Sequence, residues 1–286
     1  IPGAAVGGGL LLRENLDMEI STGTDAQFQQ QMNACPNRKG HMLYKPIYEF
    51  SIMDLPPAYR DRAFFDFVTR SAELVAQVVT NKVSEGRTVE LPLHAQRGQE
   101  FLRAATGWFC GEYEIFSKED CICPECKASG APKKRYAVFN LCTAKMFIFD
   151  KSEAEKAVVK LFYNKENEPE NISLLYGMDL SYDKDGCDWV LMRCCTHDEK
   201  AIMLLSSYVT NLIRGHFLWM WRHRFTQTPL IIFVCHPHGR AKHIACCTDL
   251  VQRKVRDLPD KGELTYYLYG LPTCRGMCGA PIRVYG

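Results

Sequence analysis

Surplus charge is what this chain has least of: 35 lysines and arginines face 33 aspartates and glutamates, a formal net charge of +2. So even a balance gives no long-range pull on a polyanion, and neither nucleic acid nor an anionic membrane surface is an expected partner. Long apolar runs are missing too. The longest candidates, residues 229–235 and 217–221, fall far short of the ~20 residues that cross a bilayer as a helix. The opening residues, Ile1-Pro-Gly-Ala-Ala-Val-Gly-Gly-Gly, have neither a methionine nor a basic region and do not read as an intact signal peptide. No internal repeat is evident.

Cysteine, by contrast, is abundant, with 14 in 286 residues. The chain is long for a disulfide scaffold and several cysteines sit in apolar, strand-like runs. The vicinal pairs Cys194-Cys195 and Cys246-Cys247 would point to opposite faces of a strand. These features describe buried thiols in a reducing compartment, so the expected location is intracellular and cytoplasmic. Cys121-Ile-Cys123-Pro-Glu-Cys126 stands apart, with three thiols within six residues of a polar insertion. That spacing suits a tetrahedral structural zinc clipping a loop that has no core of its own. Cys110 and Cys142 are the nearest candidates for the fourth ligand, and a loop of uncomplexed or redox-active thiols is the alternative.

Along the chain, the first forty or so residues read as an irregular arm. A helix is expected next, with Asp54 as its cap, Pro56 and Pro57 in its first turn, and Phe64, Phe67, Val68, Ala72, Val75 and Val79 as its apolar stripe. From residue 104 the pattern changes to short alternating runs at 107–116, 136–149, 157–163, 172–180 and 189–195, as in a barrel or sandwich. Thr196-His-Asp-Glu199 has capping-box spacing before a helix over 202–213, ended by Gly215. A hairpin over 230–247 and a strand over 264–269 follow.

Three segments then occur in a telling order. Thr143 and Ala144, in Cys142-Thr-Ala-Lys-Met146, match a Thr-Ala-x-His segment. Asp188-Trp-Val-Leu-Met192 matches an Asp-hydrophobic strand, and Gly276-Met-Cys278-Gly-Ala-Pro281 matches a Gly-x-Ser-Gly-x-Pro loop. Cys235-His-Pro237-His-Gly239 is similar to an early turn of a second barrel. Residues 104–286 therefore resemble the chymotrypsin-type two-barrel peptidases, with cysteine at the nucleophile position as in viral members of that fold. The resemblance implies a mainly β fold: a first antiparallel barrel over 104–197 with the Cys-rich insertion, a helical linker over 198–229, and a second barrel over 230–286. Residues 1–103 are an arm and helical extension. It also assigns Cys278 as nucleophile, Asp188 as the orienting carboxylate, and the N–H groups of Gly276 and Cys278 as oxyanion donors.

One residue breaks the pattern. Met146 occupies the histidine position, and a thioether cannot accept the thiol proton, so Asp188 has no imidazole to orient. His197, His236, His238 and His243 are expected on the surface or in loops. The expected function is that of a pseudopeptidase binding a peptide or protein partner. The alternatives are an active cysteine peptidase with a recruited histidine, and a structural or assembly protein using the aromatic segment 216–221.

Overall fold

The computed structural model describes residues 20–23, 25–35, 38–183, 187–225, 228–258 and 262–285. The part of the arm before residue 20, Ile1 included, lies outside them, as do Asp185 and Gly186. The arm contributes β1 (Ser21–Thr22), α1 (Asp25–Asn33), α2 (Arg38–His41) and β2 (Lys45–Pro46). After it comes α3 (Arg62–Ala72), capped by Asp61, whose carboxylate accepts the N–H of Phe64 at 2.9 Å. The expected helix is thus shorter and starts later. Asp54 closes a separate turn, and Val75 and Val79 belong to a strand, β3 (Val75–Lys82). The β-branched cluster Val75, Val78, Val79 and Thr80 fits a pleated sheet better than a helix.

The strands β4 (Glu100–Phe116), β5 (Tyr136–Ala144), β6 (Val158–Leu161), β7 (Ser173–Tyr182) and β8 (Trp189–Thr196) complete a sheet ordered β1-β4-β3-β6-β7-β8-β5. Because β4 also pairs with β5, six antiparallel strands close into a ring. The fold is mainly β and barrel-like, and its ring starts at Val75 rather than at residue 104. Strand β4 pairs with β3 on one edge and β5 on the other, and its register with β5 breaks between Phe109 and Tyr113, around Gly111 at φ 76°, a bulge position that suits glycine. Val78, Phe109, Phe139, Leu141, Val159, Leu175 and Met192 fill one buried cluster. Alternation separates the vicinal thiols: Cys194 joins this cluster, and Cys195 joins another beside Cys121, Cys123 and Cys126.

Beyond the ring run α6 (Glu199–Arg222), β9 (Leu230–Cys235), β10 (His243–Cys247), β11 (Leu250–Leu258), β12 (Gly262–Tyr269) and β13 (Ile282–Tyr285); two short helices, α4 (Pro124–Ser129) and α5 (Lys151–Ala154), lie within the ring's connections. Among the described residues a second closed barrel is not found. There is instead an open sheet, β13-β9-β10-β2, and a separate hairpin, β11–β12. The two-residue β2 ends the open sheet, and β12 pairs with β11 alone among the described strands. Helix α6 runs through Gly215 instead of ending there. Its cap is Asp198, which accepts the N–H groups of Lys200 and Ala201. A Cβ on Gly215 would stand 2.5 Å from the Phe67 ring, so this glycine serves the close approach of α3 and α6.

A buried ionic cluster locks the start of the ring to the turn after β5. Glu153 accepts two hydrogen bonds from Arg87, both at 2.7 Å, and the N–H groups of Ser84 (2.8 Å) and Phe149 (2.9 Å). Arg103 lies 3.6 Å from the same carboxylate. All three side chains are fully buried. Removing one partner strands uncompensated charge, so Glu153→Gln is expected to cost about 3–5 kcal/mol in urea unfolding, whereas Lys151→Ala, whose ion pair is exposed, should change it by less than about 1 kcal/mol.

Candidate functional site

Strand β5 ends at Ala144 and the chain turns at once: the N–H groups of Phe147 and Ile148 donate to the Ala144 carbonyl at 3.0 and 3.1 Å. Met146 lies in this turn, 9 % exposed, with its own carbonyl accepting from Arg87 at 2.9 Å. The β5–β8 register pairs Ala144 with Trp189, so the residues just outside this pair meet. The Lys145 N–H accordingly donates to the Asp188 carbonyl at 2.9 Å. Burial raises the Asp188 carboxyl to about 6, and its own backbone N–H is the offsetting contact.

The loop that carries Cys278 is pinned to the same region. Thr106 donates its hydroxyl to the Gly276 carbonyl (2.7 Å) and its N–H to the Cys278 carbonyl (2.9 Å). Gly276 and Gly279 have φ of 84° and 82°, where a side chain would be strained. A Cβ on Gly279 would fall 2.3 Å from the Thr106 carbonyl oxygen and 2.6 Å from Thr143 Oγ1. One on Gly276 would meet Gly239 N and the His236 carbonyl oxygen, each at 2.5 Å. Both glycines are therefore required by space as well as by conformation. Cys278 is 3 % exposed and shares a buried cluster with Met146, Ala144 and Phe147. A cleft of about 290 Å³ opens elsewhere, between α3 and α6, lined by Asp66, Arg70, Tyr208 and Asn211 among others.

His236 and His238 lie in the turn after β9, as expected of loop residues, but they are buried rather than on the surface. The His236 ring stacks on Tyr163 and donates Nδ1–H to the Arg240 carbonyl at 2.9 Å. His243 donates Nδ1–H to the Ala241 carbonyl at 2.7 Å. His94 bonds Arg87 and Arg97, while His216 and His223 pack against Tyr285 and Trp219.

His197 completes the cysteine insertion. Its Nδ1 lies 3.7, 3.4 and 3.5 Å from the sulfurs of Cys121, Cys123 and Cys126. Bonds of ~2.3 Å to sulfur and ~2.05 Å to nitrogen at the tetrahedral angle put such atoms about 3.6 Å apart, so these contacts are the edges of a zinc-sized tetrahedron. The four ligand atoms all lie within 4.8 Å of one another, and this group could hold a metal ion. The fourth member of this group is His197, neither Cys110 nor Cys142. Cys121 is tied in by its N–H to the Lys133 carbonyl (2.8 Å), and the Cys126 N–H donates to Cys123 Sγ (3.4 Å) at the start of α4. The other His197 nitrogen stands 3.8 Å from Glu125, whose carboxylate also accepts the Tyr176 hydroxyl. The signal that would have found His197 is its place directly after β8, the neighbour of the strand that follows the insertion. A second group that could hold a metal, Cys35, His41, His238 and Cys274, escaped the sequence reading because its members are scattered.

No protein-family model and no curated protein matches the chain.

The raised Asp188 carboxyl has a pH signature. The folded state holds this proton more tightly than the unfolded chain, so the burial penalty is absent below about pH 4, grows as the pH rises towards 6, and is complete above that. Asp188→Asn is therefore expected to raise unfolding free energy by about 1–2 kcal/mol at pH 7.5, less than the full shift implies because the residue is only half-buried, and to leave it unchanged at pH 3.5. Paired urea titrations at the two pH values check this.

Proposed function

We propose that the chain is a catalytically silent peptidase scaffold of the chymotrypsin type, which acts by binding a peptide or protein. The observation that carries this reading is the meeting of three segments at one end of the ring. The Met146 turn, the Asp188 carbonyl and the Gly276–Gly279 loop are joined through Lys145, Thr106 and Thr143. In an active enzyme of this type the first segment supplies a base, the second orients it and the third attacks. Methionine can do none of the base's work. What remains of such a site without its base is oxyanion stabilisation and binding, worth about 10³–10⁴ over water in characterised triads.

In this reading zinc is structural. Cys121, Cys123, Cys126 and His197 bind it and fix the insertion against β5 and β8, with Tyr136, Val138 and Cys195 beneath. Three thiolates and an imidazole select zinc over hard cations such as magnesium or calcium. An assembly role has one observation in its favour: Phe217, Leu218, Trp221 and Phe225 are exposed around the end of α6, and sedimentation of the purified chain reports on it.

Two experiments test the proposal. Met146→His restores a base in the first segment and is expected to introduce peptide cleavage, a gain of about 10²–10⁴ over the unaltered chain, that Cys278→Ala then removes. A folded Met146→His chain that cleaves nothing would show that these segments are not a peptidase site. For the metal, Cys121→Ser/His197→Ala is expected to lower bound zinc by one ion per chain. Unchanged zinc content in that double variant would exclude the site.

A further inference from the structure

We propose that Cys35, His41, His238 and Cys274 form a second zinc site, which staples the N-terminal arm to the loop that carries Cys278. The proposal goes beyond the peptidase reading and holds whatever that loop does. The four ligand atoms lie within 4.8 Å of one another and come from four separate places: the end of the α1 connection, the last residue of α2, the turn after β9, and the segment four residues before Cys278. The Nε2 atoms of His41 and His238 are 3.3 Å apart, with ring centroids at 5.1 Å and planes tilted by 66°. Zinc–nitrogen bonds of ~2.05 Å at the tetrahedral angle place two imidazole nitrogens about 3.3–3.4 Å apart, so the pair already forms one edge of the required tetrahedron. Two thiolates and two imidazoles choose zinc by the softness of the donors, and two protons leave the thiols as the ion binds.

The surroundings are built for such a junction. His238 has φ 53°, a left-handed conformation uncommon outside glycine, and its N–H donates to the Arg275 carbonyl at 2.5 Å. That contact ties two ligand-bearing segments together, since Arg275 follows Cys274. The arm packs closely on the same loop. Tyr44 donates its hydroxyl to the Pro272 carbonyl at 3.0 Å, and a Cβ on Gly40 would collide with the Pro272 ring at 2.1 Å. Phe28 of α1 lies against Gly239, beside His238. An ion held at these four residues joins the arm, the turn and the loop at one point.

The test is metal content of the full chain loaded with zinc and desalted. Two ions per chain are expected, falling to one in Cys35→Ser/His41→Ala, a pair of part-exposed arm residues, and also to one in Cys121→Ser/His197→Ala. Cys35→Ser/His41→Cys keeps three ligands and is expected to regain the second ion, which separates loss of a ligand from damage to the fold. Amide hydrogen exchange over residues 274–280 should speed up about 10-fold or more in the arm variant while β4 to β8 keep their protection. An arm variant that retains all the zinc of the unaltered chain overturns the proposal, as does a Cys35–Cys274 disulfide in the native protein or unchanged exchange in the loop after zinc is lost. One ion in the unaltered chain that disappears with the arm variant upholds this site and removes the ion assigned to Cys121, Cys123, Cys126 and His197.

Discussion

The buried Arg87–Glu153–Arg103 cluster is the constraint on which the rest of the structure depends. A buried ion pair is weak evidence of stability by itself, because desolvation opposes the Coulomb gain. Its weight here lies in what else the same side chains hold. Arg87 binds the carbonyls of Pro92 and Met146 at 2.9 Å and that of Phe147 at 3.1 Å, while Arg103 bonds Lys82 and Phe147. Burial lowers the Arg103 guanidinium to about 10 against the opposing pull of Glu153. Two strand ends and the turn after β5 thus share one polar knot. Its geometry sets the direction of Met146, and with it the end of the ring where Asp188 and the Cys278 loop arrive.

Around that knot the ring and the open sheet divide the labour. In the closed ring each of the six members pairs with two others, which gives a stable platform. The second sheet and the arm lie against it through an apolar cluster that includes Val75, Ile232 and Val234, and through polar contacts. Thr106 bridges to the Cys278 loop and to the His236 N–H, and the Gln77 amide donates to the Gly239 carbonyl. The all-thiol state of the fourteen cysteines fits this plan, since the two Cys/His groups gather five of them about possible ion sites and the cores hold most of the others.

Much of the ring was legible in the sequence because alternation and turn residues mark strands locally; five of the expected runs match β4 to β8. What misled was information that only tertiary contacts supply. Val75 and Val79 continue a helical stripe in register with Phe64 and Val68, yet they sit in a strand whose partners are more than twenty residues away. Gly215 reads as a stop signal, and only the Phe67 ring on α3 explains why the helix passes through it. The three cysteines at 121, 123 and 126 announced themselves by spacing, whereas His197 and the group from Cys35 to Cys274 are brought together by strand pairing and arm docking, which leave no local pattern.

The measurement that bears most directly on the central claim is hydrolysis of a diverse peptide mixture by the unaltered, zinc-loaded chain, read by mass spectrometry beside Cys278→Ala. A scaffold with methionine in place of its base gives identical product profiles for the two proteins. Cleavage by the unaltered chain that Cys278→Ala abolishes would contradict the account.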